Sequence, residues 1–173
     1  NTAVVFYPVF GVPPPSGDVG ELTGTVTDTL TGLPIQGALV TGLGYQTGGI
    51  FTSTTGLTGT YATSLCADWY DVTAAADGYE PSMETRTAIY PGEPTIQNFE
   101  LSAVSPTSVA ITGAGTGLVD QLYPFTATVE PISATLPLVY TWQVDGQDPI
   151  THTGGLSDTA SFLWPAPGVY TLT

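Results

Sequence analysis

Apolar and polar side chains alternate along most of this chain in short stretches, and glycine, proline or aspartate separates one stretch from the next. Residues 22–27 and 59–63 alternate in this way, and the turn-forming residues 28–32 follow the first of them. Alternation with a period of two predicts strands that bury one face. No stretch shows the 3.6-residue apolar period of an amphipathic helix. We therefore predict an all-β protein.

The predicted strands fall into two groups, divided near residue 103. The first group comprises residues 22–27, 35–41, 51–54, 59–63, 70–76 and 96–101, and the second comprises residues 108–112, 123–130, 138–144, 160–164 and 169–173. Short strands at this spacing, with turn signals between them, are typical of β-sandwiches. We expect two tandem β-sandwich (Ig-like or transthyretin-like) domains at 21–102 and 103–173. An extended N-terminal strand and a proline-rich linker precede them at 1–20.

The N-terminal segment is unusually apolar. Its apolar residues are Ala3, Val4, Val5, Phe6, Tyr7, Val9 and Phe10. In an extended strand they would point to both faces, and such a strand is unfavourable in water. Pro8 donates no backbone hydrogen bond, which favours a strand end or a sheet edge. We expect this strand to be buried against another part of a protein.

Residues 24–40 carry a specific motif. It reads Gly24-x-Val26-x-Asp28-x-x-Thr31-Gly32-x-Pro34-Ile35-x-Gly37-Ala38-x-Val40, and the pattern closes at Asn98-Phe99-x-Leu101. Tyr61, Tyr70 and Tyr79 lie between these two parts. The whole pattern resembles the carboxypeptidase regulatory-like domains, which are transthyretin-like sandwiches. The resemblance implies a non-catalytic spacer or interaction module of a secreted or surface protein.

The second half of the chain resembles a PKD-like or related Ig-like sandwich in residues 124–129, 139–142 and 167–173. The family's Trp-Asp-Phe-Gly-Asp-Gly turn is replaced here by Trp142-Gln143-Val144-Asp145-Gly146. The resemblance implies that Trp142 lies in the core and that one more strand follows the last predicted one. We expect this domain to lack its last strand. An unpaired edge would then remain, formed by Val169, Tyr170, Thr171 and Leu172.

An orphan strand at one end and an incomplete sandwich at the other suggest donor-strand complementation. The N-terminal strand of one copy would complete the C-terminal sandwich of the next. Repeated head to tail without closure, this contact builds a homopolymeric filament. The alternative is that the chain is a fragment, whose first strand belongs to a preceding domain and whose missing strand follows Thr173.

The chain is strongly acidic, with 15 Asp and Glu, one Arg, no Lys and a net charge of −14. Such a surface repels phosphate, which argues against nucleic-acid partners and anionic membranes. No segment is apolar for long enough to span a bilayer. A surface rich in threonine and poor in lysine favours an extracellular or cell-surface location.

Catalytic chemistry has little support. His152 is the only histidine, in residues 151–155, which we predict to be a loop; Ser157 and Asp158 follow it. A single histidine and a single cysteine, Cys66, cannot supply a usual zinc site. We predict Cys66 to be a small buried residue. We expect no catalytic site, no metal site and no cofactor.

Calcium ions and glycans are two further ligands that the sequence could accommodate. Acidic residues cluster in sequence and could bind calcium, although solvated acidic loops explain them more simply. They are Asp68, Asp71, Asp77, Glu80, Asp145 and Asp148. Glycans are possible partners if Trp69 is exposed beside other coplanar aromatic rings, whereas Trp164 is expected in the core.

The leading hypothesis is a structural subunit of an extracellular filament or cell-surface fibre, joined by strand donation. The alternative is a non-catalytic accessory or adhesion module of a larger secreted hydrolase or adhesin, possibly binding glycans. A filament subunit should be found assembled, with Ala3–Phe10 paired to another copy. An accessory module should be monomeric.

Overall fold

A computed structural model describes residues 18–173, and the predicted donor strand lies outside this described part. All regular structure in residues 18–173 is β, and no helix there could cross a membrane. The strands are β1 Val19–Asp28, β2 Leu39–Gly44, β3 Ile50–Thr54, β4 Thr60–Cys66, β5 Asp68–Ala75, β6 Ser82–Ile89, β7 Pro94–Ile96, β8 Phe99–Leu101, β9 Ser108–Gly113, β10 Tyr123–Glu130, β11 Leu138–Trp142, β12 Ile150–Gly154 and β13 Ser157–Phe162. The predicted all-β sandwich fold is confirmed.

The described chain forms two compact units. The first contains the residues up to Ala76 and Glu80–Ser102, and the second contains Asp77–Tyr79 and Ala103–Thr173. In the first unit, one sheet has the order β4-β1-β7, with β8 also paired to β1, and the other has the order β3-β2-β5-β6. In the second unit, one sheet has the order β13-β10-β9, and β11 pairs with β12.

Strand β1 organises the first unit. It pairs antiparallel with β4 on one side and parallel with β7 and β8 on the other. Its alternate residues Leu22 and Val26 are fully buried, and Val40, Val72 and Leu101 face them from other strands with no exposed surface. Apolar side chains buried in this way are the main source of stability of such a sandwich.

The motif of residues 24–40 has a structural role. A Cβ atom on Gly24 would lie only 1.8 Å from the Gln97 carbonyl oxygen, so only glycine allows this backbone approach. Asp28 Oδ1 accepts hydrogen bonds from Leu30 N at 2.9 Å and Thr31 N at 2.7 Å, which closes the turn after β1. Gly32 completes that turn with a φ of 69°.

Several predicted elements differ from the structure, three of them as follows. Residues 35–38 are not part of β2, and two of their backbone groups bond to a side chain instead of a strand: Thr55 Oγ1 accepts from Ala38 N and donates to Ile35 O. The strand predicted at 96–101 is split into β7 and β8, because Asn98 Oδ1 accepts from Thr25 N and interrupts the ladder. The loop predicted around His152 is wrong, since β12 covers it and pairs with β11.

The core of the second unit is built on aromatic rings. Trp142 and Phe162 are each 2% exposed, and their ring centroids lie 6.2 Å apart. The buried cluster is completed by Ala127, Val129, Tyr140, Val144 and Ala160, and Trp164 is partly buried against it. The prediction that Trp142 is a core residue is confirmed.

Candidate functional site

One side of the second unit's core is uncovered. β9 pairs with β10 so that Val109 lies opposite Val129 and Ile111 opposite Ala127. Paired residues share a sheet face, so all four side chains point to the core. Val129 and Ala127 are 4% and 3% exposed, but Val109 and Ile111 are 57% and 39% exposed. No described residue fills the space over the core-facing side of β9.

A cavity of about 480 Å³ lies in the same unit. Its larger lining residues are Leu118, Tyr123, Phe125, Trp164, Tyr170 and Leu172, and glycines contribute much of the remaining wall. The Trp164 ring contacts Phe125 edge-on at 6.0 Å and Tyr170 at 5.6 Å between centroids. Trp164 Nε1 is buried and finds no hydrogen-bond partner in residues 18–173. An unpaired buried donor costs about 1–3 kcal/mol, so this indole N–H lowers the stability of the unit as it stands.

The C-terminal segment is only partly a strand. Gln143 and Thr173 exchange two backbone hydrogen bonds of 2.8 and 2.9 Å, and Leu172 bridges Val144. The strand predicted over residues 169–173 is therefore wrong at its start, where Val169 is fully exposed. Its start has no partner strand among the described residues, and the Tyr170 hydroxyl instead donates to Ala166 O at 2.9 Å.

The predicted acceptor residues thus lie at the cavity. Val169, Tyr170 and Leu172 line it, and Thr171 N donates to Asp145 Oδ2 at 2.8 Å. In the described part of the chain, β11 pairs with β12 alone, so its other edge has no strand partner. The donor residues Ala3–Phe10 lie outside the described residues. The exposure of the core-facing β9 side chains was not predicted, although the alternation in residues 108–112 shows that Val109 and Ile111 share one face of the strand.

His152 and Asp158 form a link between the two sheets of this unit. Asp158 Oδ2, on β13, lies 2.7 Å from His152 Nδ1 and accepts a 2.6 Å hydrogen bond from Trp142 Nε1. Burial alone would raise the pKa of Asp158, but the bonds from Trp142 and His152 outweigh it and hold the pKa below its usual value. The ionised carboxylate therefore fastens the core tryptophan, which is a structural role.

The acidic residues do not converge on a metal site. Residues 18–173 contain no group of three or more His, Cys, Asp or Glu placed to hold a metal ion. Asp68 is fully buried, and its carboxylate accepts hydrogen bonds from the backbone N–H groups of Gln46, Thr47 and Trp69. The expectation of a solvated acidic loop is wrong for Asp68, because these donors stabilise a buried carboxylate.

Trp69 is half-buried at the surface of the first unit. The guanidinium of Arg86 lies over its ring, 5.9 Å from the centroid, so a cation occupies the face that a sugar would stack on. Cys66 is exposed, which contradicts the prediction of a buried thiol. Its position at the last residue of β4 turns the side chain outwards, away from the buried Leu65.

Residues 21–102 match the family model of the carboxypeptidase regulatory-like domain. The match coincides with the motif, the turn at Asp28 and the closing β8, and it confirms the resemblance of this part of the chain. Domains of this type are non-catalytic and occur in secreted and surface proteins. The resemblance of residues 103–173 to PKD-like domains stays a prediction. Among curated proteins, none matches the chain.

Three solved structures with a similar chain are remote in sequence. A DUF3823 family protein from Parabacteroides merdae is 13% identical, with a TM-score of 0.36, covering 84% of this chain and 81% of its own. A second, from Bacteroides ovatus, is 16% identical, with a TM-score of 0.39 and coverages of 88% and 83%. The full-length major pilin SpaD from Corynebacterium diphtheriae is 14% identical, with a TM-score of 0.43 and coverages of 72% and 39%. Similarity at this level does not bear on function.

Proposed function

We propose that the protein is a structural subunit of an extracellular filament or cell-surface fibre, assembled head to tail by strand donation. The observation that carries the proposal is the exposure of Val109 and Ile111 on the core-facing side of β9. Core-facing apolar side chains in water are costly, and a strand from another copy would cover them.

The N-terminal segment has the chemistry of such a donor. If residues 3–10 form an extended strand, apolar side chains point to both of its faces, and one face would cover β9. About five large apolar side chains buried in this way contribute on the order of 10 kcal/mol before ordering costs.

The strand would be added beside Val169–Leu172, the edge for which the described chain provides no further strand. The contact is heterologous, because the donor end and the acceptor groove are different surfaces, so its repetition gives an open polymer. The non-catalytic domain type of residues 21–102 agrees with a structural role.

A matched pair of variants tests the proposal. Ile111→Asp places a charge in the acceptor groove, whereas Val139→Asp places one on an exposed β11 side chain outside it, 69% accessible. We expect the wild type and Val139→Asp to sediment as polymers and Ile111→Asp to sediment as a folded monomer. Polymers of Ile111→Asp indistinguishable from wild type would refute the groove as acceptor. A wild type that stays monomeric would favour the accessory or adhesion module instead.

A further inference from the structure

The sheet β3-β2-β5-β6 of the first unit turns an apolar surface to solvent. Large side chains on it remain open to water although one face of a sheet in a monomeric protein is normally polar. Ile50, Met83, Leu43 and Leu39 are 79%, 61%, 54% and 44% exposed. We call this surface, formed by the outward side chains of these four strands, the outer face.

The strand register gathers these side chains into one patch. Leu43 lies between Ile50 of β3 and Asp71 of β5. In the next row, Thr41 lies between Thr52 and Thr73, and Met83 of β6 continues that row beside Thr73. Rows of threonine flanked by aliphatic side chains form a flat, uncharged surface of the kind that packs against another sheet.

Charge distinguishes the outer face from the rest of the molecule. Of the three carboxylates in these strands, Asp68 is fully buried and Glu84 pairs with the core-facing Val72, so by register only Asp71 belongs to the outer face, although the chain has 15 acidic residues. The Asp71 carboxylate accepts hydrogen bonds from the Tyr45 hydroxyl at 2.9 and 3.0 Å and from Arg86 N at 3.1 Å. Arg86, the only Lys or Arg of the chain, is exposed beside it. Two copies with a net charge of −14 therefore repel each other least across this face.

We propose that the outer face is a lateral contact surface that packs against the outer face of a second copy. A two-fold axis would place the same largely apolar patch on both sides of the contact. This arrangement buries Leu43 and Ile50 of each copy and brings few carboxylates together.

The size of the face sets the strength of this contact. Four strands about 4.8 Å apart and five residues of about 3.3 Å each give roughly 300 Å² per copy. Stable interfaces bury about 800 Å² per partner, so a single contact is weak. Repetition along the proposed filament would make it effective, and for this reason the lateral role rests on the proposed function.

The test uses Leu43→Asp on the outer face and Leu57→Asp as its control, since Leu57 is 78% exposed in the turn after β3. In electron micrographs, we expect wild type and Leu57→Asp filaments to associate side by side and Leu43→Asp filaments to stay single at unchanged length. Side-by-side association of Leu43→Asp filaments would overturn the lateral contact while leaving strand donation intact.

Sedimentation equilibrium tests the same contact without filaments, using Ile111→Asp as the background. We expect weak dimerisation, with a Kd of about 1 mM, that strengthens with added salt because screening reduces the repulsion. Adding Leu43→Asp should raise the Kd at least about tenfold. The proposal would be overturned if the Ile111→Asp protein stays monomeric well above that concentration, or if adding Leu43→Asp leaves its dimerisation unchanged. Binding of a glycan to the outer face in place of a second copy would also overturn it.

Discussion

Two carboxylates carry much of the specific bonding of this protein, and each fastens a different unit. Asp68 holds the segment after β2 to the start of β5, and its Oδ2 also accepts from Thr47 Oγ1 at 2.9 Å. Asp158 joins Trp142 and His152. The sequence shows Asp68 as a member of an acidic stretch and Asp158 as the residue after Ser157, near the single histidine. Their roles depend on which backbone N–H groups the fold aims at them, and spacing along the chain does not reveal that.

Asp68→Asn should lower the free energy of unfolding by about 2 kcal/mol or more at pH 7, because an amide NH2 would face backbone donors. Burial raises the pKa of Asp68, but the hydrogen bonds from Thr47, Gln46 and Trp69 prevail and lower it. The ionised Asp68 carboxylate therefore stabilises the wild type fully above the unfolded-state pKa of about 3.9. This contribution to the free energy of unfolding is lost as the pH falls through the lower pKa of the folded state. Urea unfolding at pH 7 and pH 3 should show the gap between variant and wild type narrowing in acid.

Glu93→Gln removes a charge from an exposed position and is the control. It should change unfolding at pH 7 by less than about 0.5 kcal/mol. A gap for Asp68→Asn that is small, or equal at both pH values, would contradict the role given to this carboxylate.

Asp158→Asn should loosen Trp142 within the second unit. Trp142 Nε1 donates to Asp158 at 2.6 Å, and the Asp158 side chain is only 16% exposed. We expect the Trp142 indole proton to exchange with solvent at least tenfold faster in the variant, as NMR would measure. His152→Gln should have a smaller effect, since the His152 side chain is 38% exposed. Unchanged exchange in Asp158→Asn would show that packing alone holds the ring.

At the scale of the strand, the alternation of apolar and polar residues predicts which segments form strands with one buried face. Residues 22–27 were found within β1 because their inward side chains are apolar and their outward ones are threonine. β6 was missed, because most of its residues are exposed and its alternation is hidden by Glu84 and Arg86. The pairing of β6 with β5 shifts register between Tyr70 and Val72, and Arg86 in this part of β6 has a φ of 58°. No sequence pattern predicts such an irregularity.

Gly24→Ala tests the closest approach between strands of the first sheet. The added methyl group would overlap the carbonyl oxygen of Gln97. This residue is held in place because its own N–H donates to Thr23 O at 2.8 Å. Overpacking against backbone should cost about 3 kcal/mol in thermal or urea unfolding. Gly56→Ala is the control, because its Cβ would meet nothing closer than 4.0 Å. Equal stability of the two variants would mean that β1 can shift away from Gln97.

At the scale of the whole molecule, the two units differ in how far their core-facing side chains are buried. Leu22, Val26, Val40 and Val72 of the first unit have no exposed surface, whereas the core-facing Val109 and Ile111 of the second are in contact with solvent. The sequence predicted an incomplete second sandwich from the strands that its resemblance implies. It could not predict where the opening lies, because that depends on how β9 and the C-terminal segment sit around the core.

Electron cryomicroscopy of the native assembled material tests the central claim most directly, by locating Ala3–Phe10. We predict that these residues form a strand beside Val169–Leu172 of a neighbouring copy and cover its Val109 and Ile111. A map in which the segment pairs within its own chain, or in which the groove of the second unit stays uncovered in the assembly, would contradict strand donation.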